Sequence, residues 1–370
     1  MSRLPAPLNA PERRRSWRLA ALPKLVRPGI RPDVAVLRLV RRRSRVTVQG
    51  RAAARTGQDD APGRRSIAMT AGSARAAVIG LGSMGYGMAQ SLRRAGLDVV
   101  GFDLDPAVMA RLAGEGAGQA ESPAAAAAGA DIVVCVVVNA AQTEGVLFGR
   151  DGAAGVAEAM PEGAVFVSCA TMDPDIARRL AARLEGQGRH YLDAPISGGA
   201  QRAAEGALTI LASGSAEAFA RAKPALDAMA ATVYALGDAP GQGAAFKMIN
   251  QLLAGVHIAA ASEAMAFAAR QGLDLAKVYE VITASAGNSW MFENRMPRVL
   301  TGDYAARSAV DIFVKDLGIV QDMARAQRFP VPVAAAALQM FLMASAAGMG
   351  RDDDSSVARL YAQVTGTTLP

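Results

Sequence analysis

The chain has 370 residues, 51% of them apolar, with a formal net charge of +7 and only two cysteines. That length permits two domains with separate cores, and the composition excludes a low-complexity chain and a disulfide framework. The charge is unevenly placed: residues 1–68 hold 17 Lys/Arg against 4 acidic residues, and the rest holds 23 against 29. A nucleic-acid role for the body is therefore not expected.

Residues 1–68 are rich in Arg, Pro and Ala, with charge runs at Arg13-Arg14-Arg15 and Arg41-Arg42-Arg43. The expected reading is a disordered or non-native extension, with Met69 as the natural start. A basic tail that touches nucleic acid or anionic lipid, and a targeting peptide without the apolar core of a secretion signal, are the alternatives. The expected protein is cytoplasmic, with no nucleic-acid or membrane partner. Cys135 and Cys169 sit in apolar runs, and His190 and His257 lack ligand-like spacing, so no metal is predicted.

From residue 75 the pattern becomes regular. Ala76–Ile79 reads as a strand, followed at once by the turn Gly80-Leu81-Gly82-Ser83-Met84-Gly85 and then a helix with Met84, Met88, Leu92 and Ala95 on one face. A second strand, Asp98–Phe102, ends at Asp103. A glycine turn between strand and helix, with an acid closing the next strand, is what a dinucleotide pyrophosphate and ribose require. Gly80 permits the tight turn, Gly82 lets the backbone approach phosphate, and Gly85 lets helix and strand pack. Asp103 can accept from a ribose diol and repels a 2′-phosphate, which favours NAD over NADP.

Asp131–Val138 is an unbroken apolar run and predicts a strand covered on both faces, with Asn139 at its ligand-facing end. Further strands are predicted at Ala164–Ser168, His190–Asp193 and Leu208–Ala212, with Val233–Leu236 closing the sheet. Thr171 follows the first of these, and Asp173-Pro174 reads as a helix start. Asp193-Ala194-Pro195-Ile196-Ser197-Gly198-Gly199 joins a strand end to a turn whose N–H groups and hydroxyl can cradle a carboxylate. A long Ala-rich helix over 243–271 carries Lys247, Asn250 and Gln251 on one face. The charge-free Val331–Gly350 meets the length for a membrane span, but its Ala, Met, Gln339 and Ser345 predict a buried helix instead.

These pieces, in this order, resemble the β-hydroxyacid dehydrogenase family, which includes the 3-hydroxyisobutyrate dehydrogenases and, more distantly, 6-phosphogluconate dehydrogenase. The resemblance covers Ala76 to the C-terminus. It rests on the glycine turn, the Asp193–Gly199 loop, Gly241-x-Gly243-x-x-x-Lys247-x-x-Asn250, and Lys315-Asp316-Leu317. It implies a Rossmann-type doubly wound parallel sheet at 75–238, then an all-α domain at 241–370 that binds substrate and builds a homodimer or homotetramer. It also implies Lys247 as the catalytic acid–base, Ser197, Gly198 and Gly199 on the substrate carboxylate, and Thr171 and Lys315 near the cofactor. Either Asn250 or Gln251 would orient the substrate. Asn139–Thr143 and Asn288–Arg295 look most like the L-threonate-oxidising branch, so NAD-dependent oxidation of that acid's C2 hydroxyl is expected. The 3-hydroxyisobutyrate and tartronate semialdehyde branches are alternatives. A non-catalytic cofactor-binding relative would lack Lys247, and an imine reductase usually has another residue there.

Overall fold

The computed structural model describes residues 74–370, so the basic segment 1–68 and its three readings lie outside the described residues. In chain order the first elements are β1 (Arg75–Ile79), α1 (Gly85–Arg94), β2 (Asp98–Phe102), α2 (Pro106–Gly114), β3 (Gly118–Gln119), α3 (Pro123–Ala127) and β4 (Ile132–Cys135). Then come α4 (Ala140–Phe148), α5 (Val156–Ala159), β5 (Val165–Ser168), α6 (Pro174–Glu185) and β6 (His190–Asp193). The six strands form one parallel sheet in the order β3-β2-β1-β4-β5-β6.

Alternate residues of each strand serve opposite faces, as a pleated strand dictates. Ala76, Val78, Ile132, Val134, Val165, Val167 and Leu192 build the core on one side. Ala77, Ile79, Val133, Cys135, Phe166 and Tyr191 build it on the other. Strand order reverses between β1 and β4, and in open parallel sheets that switch point opens a crevice at the carboxyl edge. The glycine turn leaves β1 into this crevice.

Two expectations are corrected here. The strand expected over Asp131–Val138 ends at Cys135. A side chain on Gly80 would meet the Val136 carbonyl at 2.6 Å, so the glycine turn passes directly over residue 136. Nor does Val233–Leu236 close the main sheet. It belongs to β9 (Ala230–Ala235), in a second, three-stranded sheet with β7 (Ile196–Ser197) and β8 (Leu208–Ala212). Pro195 has no N–H to continue a ladder beyond β6; the two sheets are joined by the Asp193–Ser213 bridge and share a core in which Leu208, Ile210 and Ala212 pack with Val165, Val167 and Leu192. Helices α7 (Gly199–Glu205) and α8 (Ala216–Met229) flank this small sheet.

From Gln242 onward every named element is helical. The spine is α9 (Gln242–Arg270), surrounded by α10 (Leu275–Thr283), α11 (Trp290–Thr301), α12 (Val310–Ala326), α13 (Pro332–Ala344) and α14 (Val357–Thr365). Gly255 lets α9 approach α12, since a Cβ there would stand 2.9 Å from Leu317. The start of α12 is tied to the segment before α14: Val310 N donates to Asp352 O, and Asp354 N donates to Ser308 O. Beneath this tie lies a buried charge cluster. Arg295 grips Asp354 through two hydrogen bonds at 2.6 and 2.9 Å, and Arg298 pairs with Asp353.

Among the described residues, α9 and the stretch Pro332–Met349 are long and apolar enough to cross a bilayer. Both pack into the helical body, α9 through Met248, Ala254 and Ile258, and α13 through Ala334, Ala337, Phe341 and Ala344. The buried helix expected over Val331–Gly350 is buried along one face only: Ala334, Ala337, Phe341 and Ala344 enter the core, while Val333, Leu342 and Met343 stay exposed. The helix continues as a π-turn over Ser345–Met349, within which Gly348 takes φ +87°.

Candidate active site

The glycine turn is built by close approach. Gly80 adopts φ +91°, and a Cβ on Gly85 would lie 1.9 Å from the Gly80 carbonyl. Gly82 is different, for nothing stands within 4 Å of its missing side chain. Helix α1 begins two residues beyond Ser83 with no side-chain cap and no acid in its first turn. An uncapped helix start with open space before it suits an anion, so the residues present fit a dinucleotide pyrophosphate. Asp103 braces this turn: its Oδ2 accepts from Leu81 N at 2.6 Å and its Oδ1 from Asp105 N at 2.9 Å. Each carboxylate oxygen keeps further lone-pair capacity for a ribose diol. Four residues beyond β4, Asn139 Oδ1 caps α4 by accepting from Gln142 N at 2.9 Å.

The second half of the site hangs on Asp193. This buried carboxylate at the end of β6 accepts from Ala244 N at 2.8 Å, Gly241 N at 3.0 Å and Ser213 Oγ at 3.2 Å. It thereby caps α9 from another element. Burial pushes its carboxyl up to about 6, against the pull of the Ala244 and Gly241 amides. Gly243 completes the docking, since a Cβ there would meet Leu211 O at 2.2 Å. In the sequence Asp193 stands only as the strand end before the Ser197 loop, and nothing there connects it with α9.

With its start so fixed, α9 directs Lys247 back toward the loop after β6. Lys247 is 7% exposed, and its Nζ donates to Ile196 O at 2.8 Å, one residue before Ser197. Ser197 lies in β7, and Gly198 and Gly199 take φ +141° and +81°, backbone that a side chain would strain. One turn along α9, Asn250 Nδ2 donates to Gln251 Oε1 at 2.9 Å, and Gln251 Nε2 donates to Asp316 Oδ2. Asp316, 1% exposed, also lies 2.6 Å from Lys315 Nζ, which donates to Thr171 O at 3.3 Å. Helix α12 thus joins the Lys247 face of α9 to the loop after β5.

Burial drives the Lys247 amine down to about 8, with Lys315 pushing the same way and Asp316 opposing. The arrangement is a nearly dry amine with an accessible neutral form, held beside a glycine loop at the sheet's carboxyl edge. The structure brings together Lys247, Asn250, Gln251, Lys315, Thr171 and the Ser197 loop. Gly80–Gly85, Asp103 and Asn139 follow the ends of β1, β2 and β4 along the same edge. Of the two amides, Gln251 is buried and engaged with Asp316, whereas Asn250 is exposed. In the sequence Asp316 stands only within Lys315-Asp316-Leu317, a local signal that could not show that it holds Gln251. The Asn288–Arg295 stretch turns toward α10, with Ser289 capping α11 and Phe292 stacked on Tyr279 at 5.9 Å.

Comparison with known proteins gives this geometry its context. Residues 75–237 match the NAD-binding domain of 6-phosphogluconate dehydrogenase, and residues 241–361 match the NAD-binding domain of NADP-dependent 3-hydroxyisobutyrate dehydrogenase. An L-threonate dehydrogenase of Cupriavidus necator is 55% identical, the match spanning 79% of this chain and 97% of that protein. The chain belongs to the 3-hydroxyisobutyrate dehydrogenase-like family of β-hydroxyacid dehydrogenases. A 3-hydroxyisobutyrate dehydrogenase of Pseudomonas aeruginosa is 34% identical, over 77% of this chain and 97% of that one. A crystal structure from Salmonella typhimurium, described as a 3-hydroxyisobutyrate dehydrogenase, superposes with a TM-score of 0.74. It is 52% identical and covers 78% of this chain and all of its own. This family member is an NAD-dependent oxidoreductase of hydroxy acids, acting on a CH–OH group, for which NADP is a possible alternative cofactor.

Proposed function

We propose that the chain oxidises the C2 hydroxyl of L-threonate to the 2-oxo acid, with NAD as cofactor and Lys247 as the acid–base group. The observation that carries the mechanism is the buried Lys247 amine, 2.8 Å from the carbonyl that precedes Ser197. Bound NAD supplies the hydride acceptor. Ser197 Oγ and the N–H groups of Gly198 and Gly199 hold the substrate carboxylate, with open space before Gly199 to admit it. Neutral Lys247 takes the hydroxyl proton as hydride leaves carbon, and its ammonium form returns that proton in reduction. Asn250, whose side chain is exposed, orients the reacting oxygen. Gln251 holds Asp316, and Asp316 with Lys315 sets the charge that Lys247 feels. Gly80–Gly85, Asp103, Asn139, Thr171 and Lys315 form the cofactor edge.

Relatives named for L-threonate, 48 to 55% identical, support that substrate. 3-Hydroxyisobutyrate is the second reading, favoured by the description of the crystal structure at 52% identity. A panel of L-threonate, D-glycerate, 3-hydroxyisobutyrate and 6-phosphogluconate with NAD or NADP, followed by NADH or NADPH absorbance, separates them. L-threonate with NAD should give the highest kcat/KM; a higher value for 3-hydroxyisobutyrate overturns the substrate. Replacing Asp103 by Ala removes the acceptor of Leu81 N and the charge facing a 2′-phosphate. The NAD KM should rise about tenfold, on the scale of one lost charge-assisted hydrogen bond, while the NADP KM falls.

The same reading makes the protein a cytoplasmic homo-oligomer built along α9, and the packing of α9 and α13 into the helical body supports a soluble chain. Phe246, Ile249, Leu253, Val256, Ala260, Ala264 and Phe267 recur every three or four residues along one side of α9; Phe246, Ile249, Leu253 and Phe267 are about half-exposed or more, and Val256 is partly buried. An antiparallel copy centred between Val256 and His257 sets Leu253 against Ala260 of the partner subunit and Ile249 against Ala264 of the partner subunit. Leu253 and Ile249 thus meet small residues, as close helix packing requires, while Phe246 meets Phe267 of the partner subunit at the ends of the seam. Ala260→Glu should convert the oligomer to monomer by light scattering, and an unchanged mass excludes this seam.

A further inference from the structure

We propose that Gly87, Ser91 and Arg94 on the cofactor helix are positioning residues for the substrate loop. The inference rests on the reading of Ser197–Gly199 as the carboxylate loop. Helix α7 follows that loop without a break and is only seven residues long. Isolated helices shorter than about 12–15 residues are marginal in water, so what α7 docks against decides where it lies. It docks against α1. A Cβ on Gly87 would stand 2.6 Å from Ala204 N, 2.9 Å from Ala204 Cα and 3.0 Å from the Ala203 carbonyl carbon, so the two backbones touch. The buried Ser91 hydroxyl donates to Ala203 O at 2.9 Å, and Arg94 donates to Ala204 O. Both carbonyls belong to the last turn of α7, where orphan acceptors gather and a cation is favoured. Gly206, at φ +70°, closes the helix, and Ala207 N returns to Arg202 O at 2.8 Å.

The same α1 starts at Gly85, which abuts the Gly80 carbonyl of the dinucleotide turn. Only Tyr86 separates Gly85, which faces the turn, from Gly87, which faces α7. One helix therefore carries the pyrophosphate site at its start and holds the far end of the substrate loop along its side. Lys247 reaches Ile196 at the near end of that loop. Substrate placement depends on α1 as well as on α9.

In Gly87→Ala, α7 must retreat by roughly 1 Å to restore ordinary contact, and a displacement of that size near reacting groups costs about 100-fold. The expected result is a fall of about that size in kcat/KM for the hydroxy acid, mostly in KM, with the NAD Kd changed less than about twofold by calorimetry. Arg94→Gln, a surface change that leaves the core intact, should raise the acid KM about fivefold with the same silence toward NAD. Amide exchange over 196–206 gives a readout that needs no substrate. NAD should slow it in the wild type and slow it less in Gly87→Ala. An unchanged acid KM in both variants, a parallel loss of NAD affinity, or wild-type exchange indifferent to NAD overturns the proposal. If the wild type oxidises no hydroxy acid, the substrate reading falls and the exchange measurement alone decides the coupling.

Discussion

Lys247→Ala is expected to lower kcat for hydroxy-acid oxidation by about 10³–10⁴-fold, the upper range for loss of a positioned acid–base group. NAD affinity should hold, because Lys247 contacts the Ser197 loop and not the glycine turn. The pH profile provides an independent check. Only the neutral amine can accept the hydroxyl proton, and the Lys247 ammonium loses its proton at about 8. In the wild type, kcat/KM for oxidation should therefore climb about tenfold per pH unit below 8 and level off above it. Lys315→Met removes a like charge and should move that limb to higher pH; Asp316→Asn removes the opposing charge and should move it lower. An alanine variant with wild-type kcat, or a limb that ignores both neighbours, would sink the assignment.

The second large effect concerns stability. Asp354 is fully buried, and Arg295, itself buried, binds it through two nitrogens. Removing one partner of a buried pair leaves a charge with neither water nor counter-ion. Asp354→Ala should accordingly cost about 3–5 kcal/mol of unfolding free energy. The loss should be read as a lower urea midpoint at unchanged slope. Replacing Arg295 and Asp354 together by apolar residues of similar volume should recover much of that loss, because the desolvation of both charges disappears with them. If the double replacement proves worse than Asp354→Ala, the pair contributes more than its charges do. The cluster lies under the start of α12, so activity should fall with stability through Lys315 and Asp316.

Much of the fold was legible because its signals are local. Asp98–Phe102 and His190–Asp193 are strands with the expected bounds, since alternate residues must serve two cores at once. Asp173-Pro174 starts α6 with the side-chain cap that such a pair supplies. The failures are non-local. Nothing within Asp131–Val138 tells that a turn fifty residues upstream passes over residue 136. Nothing in Val233–Leu236 tells that its partner is β8 and not β6. Pairing partners are chosen by what the rest of the chain leaves open, and a period-two pattern names a strand without naming its neighbour.

The glycine turn and its acid carry their chemistry in residue type alone. A backbone at φ +91° and a Cβ-free approach at Gly85 admit one residue, so the dinucleotide turn could be read without coordinates. Motif order likewise pointed to Lys247 and the Ser197 loop. What makes that lysine a candidate base is burial and neighbouring charge, which are properties of assembled elements. Only the tertiary structure shows Asp193 capping α9, Asp316 engaging Gln251 while Asn250 stays exposed, and Gly87 set against α7. Each joins groups far apart in sequence. The sequence by itself determined which backbone shapes and side-chain chemistries were available; packing decided which of them meet, because desolvation and hydrogen-bond geometry exist only between groups that folding has brought into contact.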